Sequence, residues 1–152
     1  MKSKKIFIGE FIGSCFLVMI IVGSGIMAQN LTGDVAVMLV ANTLATGAGL
    51  FVLITSIGDI SGAHFNPVVT LAMYFTNKIK KNLIITYISA QILGCMLGVM
   101  LANFMFDLPL LQLSEKMRPG INIFTAEIIA TFGLIFVIFG SLKSGKLAVA
   151  SS

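Results

Sequence analysis

The stretch SGAHFNPVVTLAMYF, residues 61–75, sets an Asn-Pro pair at the head of an apolar run. From Pro67 to Asn77 that run is eleven residues long. This is roughly 16 Å of helix at about 1.5 Å per residue, or about half the hydrocarbon core of a bilayer. In a soluble protein it would be an ordinary helix start, with Asn as N-cap and Pro at the first helical position. The rest of the chain excludes that setting.

Charged residues make up 11% of the 152, against about a quarter in a soluble domain. Mean hydropathy is +1.03. A chain of this kind cannot clothe a water-facing surface. The charges are also clustered: Phe11 to Gly33, Val35 to Gly58 and Asn82 to Phe106 contain no Asp, Glu, Lys or Arg, and Gly120 to Leu142 contains only Glu127. Each window exceeds the ~20 residues that a spanning helix needs. The sequence therefore predicts an all-α membrane protein with four transmembrane helices and one re-entrant half-helix, residues 66–77.

The basic pI, near 9.3, does not point to nucleic acid, because the bases sit in short loops between spans. With the N-terminus cytoplasmic, Lys2, Lys4, Lys5, Lys78, Lys80, Lys81, Lys143 and Lys146 face inside. Lys116 and Arg118 face outside, beside Asp107 and Glu115. Eight against two is a positive-inside bias, and it predicts a multi-pass protein of the cell membrane. The first helix is too long for a signal-peptide core and carries Glu10, so it is expected to be retained. Cys15 and Cys95 lie inside spans without metal-ligand spacing and pack as small apolar residues. No metal cluster, nucleophile triad or phosphate loop is present, which argues against an enzyme and against a cofactor.

An internal repeat organises the chain. GEFIGSCFLVMIIVGS (Gly9 to Ser24) and AEIIATFGLIFVIFGS (Ala126 to Ser141) align at a constant offset of 117, pairing Glu10 with Glu127 and Gly23-Ser24 with Gly140-Ser141. Three spans separate the two starts, so the second copy enters from the opposite face, the signature of an inverted-topology repeat. The same offset would put a second Asn-Pro near position 183, whereas the sequence ends at Ser152. Residues 1–119 are thus expected to form one repeat and 120–152 the first helix of an unfinished second one.

Backbone at mid-membrane must be hydrogen-bonded internally or line a polar cavity. A helix that starts there offers unpaired N–H groups and the positive end of its dipole, and Asn66 adds an amide donor. Such a site holds a neutral oxygen ligand and repels cations. It suits water, glycerol or another small uncharged solute.

At this point the residues resemble a known family. SGAHFNPVVTLA looks like the first signature loop of the aquaporin, or major intrinsic protein, family. GEFIGS resembles its first helix, SAQILGCMLG (Ser89 to Gly98) its third and AEIIATFG its fourth. The resemblance implies an incomplete aquaporin-like inverted repeat. It also implies a pore lined by the backbone of Gly62, Ala63, His64 and Phe65, with Asn66 at the midplane and Val68 in the wall. Asn66, Pro67 and Val68 would form the signature motif, with Val in place of the usual Ala. Glu10 and Gln91 would brace the loop at Asn66, and Glu127 would brace a corresponding second loop. Simple snorkelling of the two glutamates is the plainer alternative.

His64, the only histidine, makes a poor case for metal or proton transfer and is expected to brace the loop. Asp59 is expected at the cytoplasmic mouth, in solvent. Gly9, Gly13, Gly94 and Gly98 form small-xxx-small pairs for close helix packing. Thr46 stands where water-selective members carry a bulky aromatic at the outer constriction, which favours glycerol-sized solutes. The family's filter arginine, its last two helices and its second half-helix would all lie beyond Ser152.

The functional expectation is an aquaporin-like channel subunit for water or small neutral solutes. The alternative is a non-conducting interaction fragment that pairs with a full-length channel or with a separately encoded second half. A coupled transporter is disfavoured by the lack of a membrane-centred carboxylate pair. The expected partners are the lipid bilayer, the solute, and either further copies of the chain or a complementary second-half chain; nucleic acid is not among them.

Overall fold

The computed structural model describes residues 2–112 and 120–144, with side chains up to Ser141. Glu115, Lys116, Arg118 and Lys146 therefore lie outside the described residues, and so does the side chain of Lys143. The described residues form helices joined by short turns, without strands. They are α1 (Lys2–Leu31), α2 (Val35–Ser61), α3 (Pro67–Phe75), α4 (Ile84–Met105, preceded by a 3-10 turn at Lys81–Leu83) and α5 (Ile121–Ser144). Of these, α1, α2, α4 and α5 are long and apolar enough to cross a membrane. The nine residues of α3 give roughly 13 Å of helix, too short to span.

Local chemistry sets the breaks. Asp34 caps α2 by accepting from the backbone N–H of Ala36 at 2.8 Å and of Val37 at 3.3 Å. The three-residue link before α2 forces α1 and α2 into an antiparallel hairpin. Gly62 ends α2 at φ 97°, donating its N–H to the Gly58 carbonyl. This left-handed closure suits glycine. Asn77 (φ 59°) closes α3 in the same manner, with the Lys78 N–H reaching back to the Met73 carbonyl at 2.8 Å. Here Asn replaces the more usual Gly.

The tightest packing is between α1 and α4. A Cβ on Gly94 would overlap the carbonyl oxygen of Phe11, and one on Gly98 the carbonyl oxygen of Cys15. Glycine at both positions lets the two backbones touch, and Ala90 and Ala102 continue the seam fully buried. Where apolar tails solvate the outside, such close van der Waals contact is the main force joining helices. On the other side of α1, Gly13 leaves room for the Phe65 ring, and Gly9 faces Ser61. Leu53, Ile57 and Phe65 make a small core there.

The other faces are bare. In the most apolar eighteen-residue stretch of α2, and in that of α5, no residue is buried. Leu44, Ile121 and Phe132 are each more than half exposed. Side chains of this type are stable in that position against lipid or another protein, not against water.

Candidate functional site

Of the five residues between α2 and α3, the first four run in a strained path. Gly62, Ala63 and Phe65 have φ of 97°, 51° and 47°. Only Gly62 adopts such angles without steric cost; for Ala63 and Phe65 the left-handed region costs roughly 1–2 kcal/mol each. Strain of this kind persists only where the surroundings over-determine the conformation.

The surroundings are a buried carboxylate. Glu10, fully buried on α1, accepts four hydrogen bonds. Oε1 takes the Ser61 hydroxyl at 2.7 Å and the His64 N–H at 3.0 Å. Oε2 takes the Phe65 N–H and the Gln91 amide, both at 2.8 Å. All four partners are donors, matching the four lone-pair sites of an ionised carboxylate. Ser61 accepts in turn from the Ala63 N–H at 3.1 Å. Every backbone N–H from Gly62 to Phe65 is therefore occupied, on the side facing α1 and α2. No donor among the described residues reaches the carbonyl oxygens of these four.

A second layer fixes the first. Gln91 also donates to the Thr70 hydroxyl at 3.0 Å. Nδ1 of His64 lies 3.1 Å from the same hydroxyl, and the His64 ring stacks on Tyr87 with centroids 4.4 Å apart. The Tyr87 hydroxyl donates to the Ser61 carbonyl. Asn66 caps α3 through Oδ1, which accepts from the Val68 N–H at 2.7 Å. No described residue accepts from its two amide hydrogens.

Below the loop is a cavity of about 130 Å³, room for about four waters at roughly 30 Å³ each. Gly62, Ala63, His64, Phe65 and Asn66 form its polar edge; Leu17, Leu50 and Ile54 form one apolar wall and Val69, Met73, Leu134 and Ile138 the other. A narrow strip of hydrogen-bonding groups between apolar walls can hold an uncharged polar molecule weakly. It offers a bare ion no counter-charge.

This architecture has relatives. The family model "Major intrinsic protein" matches residues 1–152. The chain belongs to the major intrinsic protein family. It is 44% identical to the aquaglyceroporin AqpS of Rhizobium meliloti (strain 1021), over 93% of this chain and 61% of that protein. With aquaporin NIP3-1 of Arabidopsis thaliana it shares 36% identity, over 95% and 46% respectively. With aquaporin-4 of Rattus norvegicus the figures are 32%, 94% and 46%. The chain thus spans between about half and three fifths of the length of these relatives. Major intrinsic proteins are membrane channels, not enzymes, and the four apolar helices make this member a multi-pass membrane protein.

Of the residues singled out in the sequence, Gly62 to Asn66, Glu10 and Gln91 come together at this site of the family member. Pro67 opens α3 at its first position. Val68 is 45% exposed and outside the cavity lining, and its neighbour Val69, 4% exposed, takes that place. Thr46 borders a separate open depression with Asn42 and Phe51 on α2; its hydroxyl has no hydrogen-bond partner among the described residues. Glu127 is exposed on α5 and makes no hydrogen bond among the described residues. Asp59 is exposed too. No group of three metal-ligating side chains occurs among the described residues.

Sequence reasoning missed Ser61, Thr70 and Tyr87. Thr70 follows Asn66 by one helical turn, and Tyr87 precedes Gln91 by one turn. That i, i+4 spacing of polar residues on otherwise apolar helices is the signal that could have found Thr70 and Tyr87.

Proposed function

We propose that the chain forms one half of the wall of a passive pore for water or small neutral solutes such as glycerol. The observation that carries this reading is the loop at residues 62–65. Its N–H groups are all held by α1 and α2, its four carbonyl oxygens take no donor among the described residues, and its residues line the cavity. A solute sliding past such a row exchanges one weak hydrogen bond for the next and is never bound tightly enough to stop, as conduction requires. On this reading α3 is a re-entrant half-helix with Asn66 near mid-membrane, Glu10 and Gln91 act as braces, and residues 120–152 begin a second, inverted repeat. The lysine distribution favours a cytoplasmic N-terminus and insertion in the cell membrane.

A second reading has its own support. The unburied faces of α2 and α5, with Leu134 and Ile138 of α5 already closing one side of the cavity, suit packing against further protein. The chain would then pair with a complementary second half, with a full-length channel, or with copies of itself.

Stopped-flow osmotic swelling of vesicles carrying the purified chain tests both readings, in water and glycerol gradients with Asn66→Asp as control. Permeability above empty vesicles and lost in the control supports the pore. Permeability equal to empty vesicles favours the second reading.

A further inference from the structure

The Thr70 hydroxyl is fully buried and stands where three polar groups converge. It lies 3.1 Å from the carbonyl oxygen of Asn66, 3.0 Å from Nε2 of Gln91 and 3.1 Å from Nδ1 of His64. A hydroxyl has one hydrogen to give and two lone pairs with which to accept. Gln91 must donate, because the same NH₂ group faces a Glu10 carboxylate oxygen and a flipped amide would set oxygen against oxygen. That uses one lone pair.

Two arrangements remain. If the Thr70 hydrogen goes to Asn66, the second lone pair accepts from a protonated Nδ1, and all three contacts are hydrogen bonds. If the hydrogen goes to Nδ1 instead, the contact with Asn66 carries no hydrogen. The first arrangement makes one more bond at a buried group, where low dielectric strengthens each bond made. In a neutral imidazole, a proton on Nδ1 leaves the lone pair on Nε2. No described residue donates to Nε2, which is not among the sealed atoms that lack a partner. It lies beside Gly62, itself a lining residue of the cavity like His64, and the ring that carries it is held flat against Tyr87.

We propose that Thr70 and Gln91 hold His64 as the Nδ1–H tautomer, so that Nε2 presents a fixed hydrogen-bond acceptor to the cavity and recognises the O–H or N–H donors of a small neutral solute. With the loop carbonyls beside it, this edge becomes almost wholly accepting, the Asn66 amide being its donor. It then suits polyols and primary amides better than solutes that only accept. The recognition of solute rests on the pore proposed above, whereas the tautomer does not.

His64 is the only histidine, so the full chain labelled with ¹⁵N-histidine in lipid vesicles gives one pair of ring resonances. The expected spectrum has a pyrrole-type signal at Nδ1 and a pyridine-type signal at Nε2, the reverse of the tautomer that free histidine prefers in water. Thr70→Val should return the proton to Nε2, and Thr70→Ser should keep it on Nδ1. A pyridine-type Nδ1 in the wild-type chain, or two pyrrole-type signals from an imidazolium, overturns the proposal. Magnetisation transferred from mobile water should reach Nε2, and its absence overturns the placement in the cavity. Glycerol in the buffer should shift the Nε2 resonance and leave Nδ1 in place; an unmoved Nε2 overturns the recognition. These signals are read whether or not the vesicles swell, which separates failure of this inference from failure of the pore.

Discussion

The Glu10 carboxylate on α1 and the Gln91 amide on α4 meet at 2.8 Å across 81 positions of sequence. Both are essentially fully buried, and together they hold the backbone of the loop between α2 and α3. This one contact joins the best-packed helix pair to the most strained segment among the described residues. The glycine seam between α1 and α4 therefore determines whether the loop keeps its shape.

Glu10→Gln should be strongly destabilising although it preserves size. A glutamine offers one acceptor oxygen to four donors and turns its own NH₂ toward the rest. Each buried donor left unmet costs about 1–3 kcal/mol, so a loss of at least about 2 kcal/mol is expected. Thermal unfolding of the detergent-solubilised chain measures it. A melting temperature equal to wild type would mean that the four hydrogen bonds do not hold the loop.

Gly98→Ala and Gly133→Ala should act in opposite directions. A methyl group at Gly98 overlaps the Cys15 backbone, which cannot move aside without parting α1 from α4. Overpacking of this type costs about 1–3 kcal/mol. Gly133, on α5, has nothing within 4 Å of the place where a Cβ would lie, and alanine there is favoured by about 1 kcal/mol of helix propensity. The same unfolding assay reads both. Equal shifts would remove the seam as the organising contact.

Ala63 provides a test of backbone strain. At φ 51° a β-branched side chain is a genuine outlier, so Ala63→Val should cost more than about 1 kcal/mol. Ala63→Gly should be close to neutral, because relief of the left-handed penalty is offset by the greater freedom of glycine in the unfolded chain. Equal melting temperatures for the two variants would place the strain elsewhere.

The sequence made the helices legible because charges interrupt apolar runs where a membrane ends. It was poorer on their limits. The first charge-free window begins at Phe11, whereas α1 begins at Lys2, since a helix continues through polar residues that hydropathy counts as outside. The short run after Asn66 was expected through Asn77 and is helical from Pro67 to Phe75. At the site, Glu10 stood out because a carboxylate inside an apolar span demands partners, whereas Gln91 stood out only through the family resemblance. Ser61, Thr70 and Tyr87 did not, because their types are common in spans and only the meeting of α1, α2, α3 and α4 brings them together. Val68 and Val69 differ by one position, about 100° around α3, and no pattern in so short a helix fixes which one faces the cavity.

Leu134 and Phe132 test the cavity from the helix that contributes least to the packing. Leu134 lines the cavity, while Phe132, two positions earlier on α5, is 69% exposed. A Trp at position 134 would fill much of a space of about 130 Å³, and in a single-file passage a side chain of that size stops flow instead of slowing it. A Trp at position 132 points away from the cavity and only exchanges one aromatic surface for another. In vesicles that carry the chain, Leu134→Trp should lower osmotic water permeability by about an order of magnitude or more, and Phe132→Trp should leave it unchanged. Loss in both variants would indicate that α5 acts through assembly, because its outer face would then matter as much as its inner one. Loss in neither would mean that water takes a route the cavity does not include.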